Sequence, residues 1–207
     1  MRKLILRFIN ASPAVKASMA LLFANLVLKG LSLISGPIFT RIMTSDQYGI
    51  VSTFTSWQGV LSAVITLNLS AGVFNNGMLD FKEDRDSFQF SLLAISTISS
   101  LLWFGLFLVL KNILLPFLAL PELSVYLMLL YFLFVPAYLL WGGRQRYEYK
   151  YKALSIITIL IAVISLAGGV LAVVFSSESG TALSRIIVME GTNIVIGVFF
   201  YSSHIAI

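Results

Sequence analysis

The chain has 207 residues, 58% of them hydrophobic and 11% charged, and a mean hydropathy of +0.95, a composition that a water-facing surface does not tolerate. It reads as an integral membrane protein. The net charge of +5 comes from basic residues set between apolar blocks rather than gathered on one face, which argues against nucleic acid; with no cysteine and one histidine, disulfides and thiolate or His-rich metal sites are excluded, and no cofactor is implied.

Residues 1–17 carry Arg2, Lys3, Arg7 and Lys16 around Leu4, Ile5, Phe8 and Ile9, the pattern of an interfacial helix that is not cleaved as a leader. Six apolar blocks then follow, each near the ~20 residues that a helix needs to cross ~30 Å of hydrocarbon. The expected spans are 18–42, 49–73, 88–110, 121–141, 153–175 and 182–203, so that 18–207 forms one six-helix lobe. In the first, Gly36-Pro37 removes the hydrogen bond to the Leu33 carbonyl and is expected to kink or end the helix before Arg41. Thr44 and Gln47 have capping-box spacing, flanked by Met43 and Tyr48 as a hydrophobic staple, so the second helix starts at once. Between the second and third spans, Asn75-Asn76-Gly77 signals a turn before the charged run from Asp80 to Asp86, a solvated loop. Pro136 frees the Phe132 carbonyl in the fourth span, which a membrane tolerates only if a neighbour or water satisfies it. The stretches 111–120 and 176–181 are short external connections. Ten of the fourteen lysines and arginines fall on the N-terminal side, which places both termini in the cytoplasm.

Polar residues inside the blocks supply the candidate site. Ser18, Asn25, Lys29, Ser32 and Gly36 share one face of the first helix, and Lys29 stands near mid-span, too deep to reach a headgroup unaided. Glu190 in the sixth span reaches a similar depth, ~18 Å from the inner edge against ~17 Å for Lys29 at 1.5 Å per residue, so the two are expected to pair or to line one cavity. Arg185, Asn68 and Asn193 are further cavity candidates, and Arg41 reads as a headgroup anchor or outer gate. Two runs of small residues, Ser52-Ser56-Gly59-Ala63-Thr66-Ser70 and Ser165-Gly168-Gly169-Ala172, read as helix-packing faces. No Walker A, HExxH or GxSxG pattern is present, which speaks against an enzyme.

The run from Leu26 to Trp57, with Arg41, Ile42, Met43, Asp46, Gln47, Tyr48 and Gly49 at the first hairpin, resembles the opening of polysaccharide flippases of the multidrug/oligosaccharidyl-lipid/polysaccharide exporter superfamily. The resemblance implies an all-α fold like one lobe of a MATE-like transporter in the bacterial inner membrane, moving undecaprenyl-pyrophosphate-linked sugars such as O-antigen repeats by alternating access. Lys29, with Arg185, would then attract the anionic headgroup, and Glu190 would couple to a proton or sodium ion. Such transporters have two lobes, so the expected partner besides membrane lipids is a second half-transporter chain or a second copy, this chain being a truncated fragment or a dimerising half. A multidrug or cation exporter of the same superfamily, a membrane-embedded glycan enzyme and a non-catalytic assembly subunit are the competing readings.

Overall fold

The computed structural model describes residues 12–205, and over that range all of its regular structure is helical, joined by short turns. Helix α1 runs Pro13–Ile42, α2 Ser45–Ile65, α3 Gly72–Asp80, α4 Arg85–Leu118, α5 Glu122–Tyr147, α6 Tyr151–Val174 and α7 Thr181–Ile205. Residues 1–11 of the expected interfacial segment lie outside the described residues, while Ser12 caps α1 so that Lys16 is already helical.

Five helices, all but α2 and α3, are long and apolar enough to cross a membrane. The fold therefore defines a helical membrane protein. At 21 residues α2 is long enough as well, ~31 Å, but six serines and threonines and Asp46 lower its hydropathy, so five of the expected six spans are long and apolar enough. The expected second span, 49–73, is also interrupted. Its helix stops at Ile65, and Leu67 and Asn68 adopt the left-handed conformation, with φ of 54° and 47°, before α3 begins. Asparagine accepts that conformation more readily than most residues, and Thr66 turns its hydroxyl back onto the Ser62 carbonyl at 2.7 Å.

Two connections differ from expectation for packing reasons. Asn75-Asn76-Gly77 lies inside α3 rather than in a turn, because buried Gly77 leaves the space that the Phe88 ring of α4 occupies. The stretch 111–120 is helical as far as Leu118, since α4 extends to 34 residues, ~51 Å, well beyond a ~30 Å core. Lys111 projects from that extension and pairs with Glu122 at 3.3 Å.

The first hairpin forms with a variation. Thr44 Oγ1 accepts from the Gln47 N–H at 3.4 Å, as an N-cap should. The Gln47 side chain does not return to Thr44. Its Oε1 accepts the Ala182 N–H at 3.0 Å, so α2's first turn satisfies an orphan donor at the start of α7. Gly36-Pro37 does not end α1, which continues to Ile42 with Pro37 inside it.

Helix α7 is the hub, packing against α5, α6 and α2, while α1 leans on α6 from outside. The core cluster joins Phe39, Phe54, Phe132 and Ile186, each at most 2% exposed. Gly197 lets the α5 backbone come so close that an added Cβ would stand 2.8 Å from the Phe134 carbonyl. Gly168 meets Val188 and Gly169 meets Phe39, so the small-residue run of α6 is a packing face as expected. The run on α2 does not pack within this bundle: Ser52, Ser56, Gly59 and Ala63 are exposed, and Thr66 and Ser70 are half-buried.

The carbonyl freed by Pro136 finds its neighbour, because Ser100 of α4 donates to Phe132 O at 3.0 Å. Ser100→Ala is expected to cost about 1–2 kcal/mol by stranding that carbonyl, and thermal melting in detergent reads the loss.

At the end where α4 starts and α5 finishes, Arg144 bonds both Asp86 and Glu148, and Lys150 bonds Glu148 at 2.6 Å. Lys150 first, and Arg144 with it, hold the Glu148 carboxyl below its usual range. A carboxylate whose folded pKa is depressed stabilises the protein fully above its unfolded value near ~4.3 and loses that contribution as pH falls through the folded pKa. Melting temperature is therefore expected to be flat in this contribution from pH ~7 to ~5 and to fall below ~4.3. Glu148→Gln should remove that part of the acid sensitivity.

Candidate functional site

Along α7, Arg185 and Glu190 lie five residues apart, so they are ~7.5 Å apart in height and ~140° apart around the axis. They serve different sides of the hub.

Arg185 turns toward α1. Its guanidinium lies 3.6 Å from the centre of the Phe39 ring and 5.7 Å from that of Tyr48, and one nitrogen donates to Met43 Sδ at 3.9 Å. Aromatic faces attract a cation, but none of these groups is an anion. Among the described residues no carboxylate pairs with Arg185. Beside it opens a cleft of about 190 Å³ between α1, α6 and α7, where the hydroxyl-bearing Ser32, Ser35 and Ser165 share the lining with Arg185. The arrangement offers guanidinium donors and hydroxyls to one small anionic or hydroxyl-rich group.

Glu190 turns the other way and is 1% exposed. Gln58 of α2 and Asn193 of α7 approach its carboxylate, and Tyr131 of α5 is near enough to feel its charge. Even so, Glu190 Oε2 and Gln58 Nε2 are buried without a hydrogen-bond partner. Burying polar atoms unpaired costs about 1–3 kcal/mol each.

The sequence candidates divide accordingly. Arg185, Glu190 and Asn193 lie in the interior of the bundle, whereas Lys29 and Asn25 are exposed on the outer side of α1. Lys29 and Glu190 do not form an ion pair. The reason is angular: the cleft is lined by Leu28, Leu31, Ser32, Ser35 and Phe39, and Lys29 sits about 100° round from Leu28. Ser32 alone is common to the cleft and the polar stripe. Asn68 is exposed in the left-handed turn after α2, outside any interior cavity. Arg41 is exposed at the end of α1, where it borders a second cavity of about 430 Å³ with Thr44, Glu178 and Thr181, a placement compatible with an anchor or a gate.

Gln58 and Tyr131, and the Phe39–Tyr48–Met43 cradle, were not among the candidates. Gln58 carried a usable signal, since it is an amide on the same side of α2 as buried Val51, Phe54 and Ile65. The aromatic cradle carried none, because Phe39 and Tyr48 look like ordinary apolar positions until α7 brings Arg185 against them. No protein-family model, curated protein or solved structure matches the chain significantly.

Proposed function

We propose that the chain is one lobe of a bacterial inner-membrane transporter, with cytoplasmic termini, that exports polyprenyl-pyrophosphate-linked oligosaccharides. One observation carries this reading: Arg185, half-buried on the hub helix beside an open cleft, has aromatic and thioether neighbours but no carboxylate. A cation at such a depth is costly, and an anionic headgroup entering the cleft would offset that cost. Serine hydroxyls next to it suit pyrophosphate oxygens or sugar hydroxyls.

The exposed polar faces support the second half of the reading. Lys29, Asn25 and Ser32 on α1, and Ser52, Ser56 and Gly59 on α2, are poor company for lipid tails, so these faces meet a second lobe, either another chain or another copy. Lys29 then contributes from the interface rather than from the cleft beside Arg185. Glu190 is the coupling group, taking a proton or sodium ion on its free oxygen.

The same buried carboxylate favours the second reading, export of organic cations. Complementation separates the two. In a strain lacking its polysaccharide flippase the wild-type chain should restore surface polysaccharide, and Glu190→Gln should leave binding intact while uncoupling export. Failure of the wild type, joined to drug resistance that needs Glu190, would replace the first reading with the second.

A further inference from the structure

A large cavity lies away from both charged groups of α7, at the bundle end where α4 begins and α5 finishes. It encloses about 780 Å³, and its lining includes Asp86, Phe90, Trp141, Arg144, Glu148 and Lys150. Its charged wall is ordered. Arg144 bonds Asp86 on one side and Glu148 at 2.8 Å on the other, and Lys150 bonds the second oxygen of Glu148 at 2.6 Å. The four groups thus form a row of alternating sign, Asp86, Arg144, Glu148, Lys150.

The inner two members are mostly covered, with side chains 29% and 19% exposed, and their charges are spent on their neighbours. The outer two are open, 60% exposed at Asp86 and 66% at Lys150, and each has one partner in the row. The cavity therefore presents a carboxylate at one end and an ammonium at the other, each ion-paired once within the row and still open to a further partner. A ligand of a single sign would meet attraction and repulsion together. A zwitterion would find both ends complementary.

The rest of the lining is amphipathic. Phe90 is 51% exposed, and Trp141 packs against Phe200 with ring centres 4.3 Å apart and planes tilted by 33°, leaving an aromatic side toward the apolar layer. Aromatic rings and basic residues at a helix end mark the membrane–water boundary, and Arg146, Tyr147, Tyr149, Lys150 and Lys152 cluster here. We propose that this cavity binds a phospholipid whose headgroup joins a phosphodiester to a primary ammonium, the phosphate toward Lys150, the ammonium toward Asp86 and the acyl chains along Phe90 and Trp141. The site is independent of the transport reading, since it uses neither Arg185 nor Glu190.

The test is native mass spectrometry of the purified full chain in detergent with equimolar phosphatidylethanolamine, phosphatidylcholine and phosphatidylglycerol. Phosphatidylethanolamine should be retained about fivefold over both others, the scale of one partly exposed ion pair, because choline has no N–H to donate and glycerol no positive charge. Asp86→Asn should reduce that preference to the phosphatidylcholine level with the melting temperature kept within ~2 °C. Lys150→Ala should weaken all three lipids alike. Equal retention of the three, preference for phosphatidylglycerol, or selectivity that survives Asp86→Asn would overturn the proposal. Displacement of the bound lipid by the same concentration of soluble glycerophosphoethanolamine would overturn the membrane as the ligand's source.

Discussion

Replacing Arg185 by alanine is expected to weaken binding of a polyprenyl-pyrophosphate oligosaccharide by about 10- to 100-fold, because a hydrogen bond to a charged group contributes about 1.5–3 kcal/mol. The side chain has no carboxylate to release, so the loss falls on the ligand rather than on a broken internal ion pair. Arg185→Lys keeps the charge but not the planar fork that stacks on Phe39, and should recover only part of the affinity. Lys29→Ala should change affinity by less than ~3-fold, since Lys29 is outside the cleft. Titration in nanodiscs distinguishes the three variants, and an alanine at 29 that matched the alanine at 185 would return the site to the outer stripe.

A second large effect is structural. Gly197→Val should destabilise the bundle by about 3 kcal/mol, at the upper end of overpacking costs, and lower the melting temperature by roughly 6–12 °C. The obstacle is backbone: the Phe134 carbonyl carbon and oxygen stand 2.8 Å from the position of an added Cβ and the Val135 nitrogen 3.0 Å, and a backbone cannot rotate away as a side chain can. Two helices that must separate there are the hub and its most extensive neighbour. Gly191, on the same helix, has nothing within 4 Å of its Cβ position, and Gly191→Ala should leave melting within ~2 °C. An equal loss at both glycines would contradict close approach at Gly197 as the cause, since alanine and valine both favour a helix over glycine.

Much of the architecture follows from apolar periodicity and local chemistry. Five apolar blocks became helices within a few residues of their expected bounds at most ends, and the Thr44 cap and the Pro136 carbonyl behaved as their chemistry requires. What failed was tertiary in origin. Gly77 reads as a turn residue until Phe88 is seen to need its missing side chain, and the end of α4 at Leu118 depends on a helix running past the hydrocarbon layer rather than on composition. The break at Leu67 and Asn68 was hidden in a run apolar enough to read as one span.

The site was legible in residue type more than in geometry. Depth along the helix put Lys29 level with Glu190, but depth ignores rotation, and about 100° around α1 separates Lys29 from the face that meets α7. By residue type Arg185 is one of several cavity candidates; Phe39 and Tyr48, brought against it by the first hairpin, set its guanidinium beside the cleft.

The most direct measurement is movement of a fluorescent polyprenyl-pyrophosphate oligosaccharide across proteoliposomes containing only this chain, followed by quenching from one side. Wild-type chain should move it well above the rate in empty liposomes, and Arg185→Ala should slow it at least tenfold with equal amounts of folded protein. An Arg185→Ala variant as fast as wild type would contradict the assignment of this bundle as a lobe that recognises an anionic lipid headgroup through Arg185, whereas rates equal to empty liposomes would require the second lobe to be another chain.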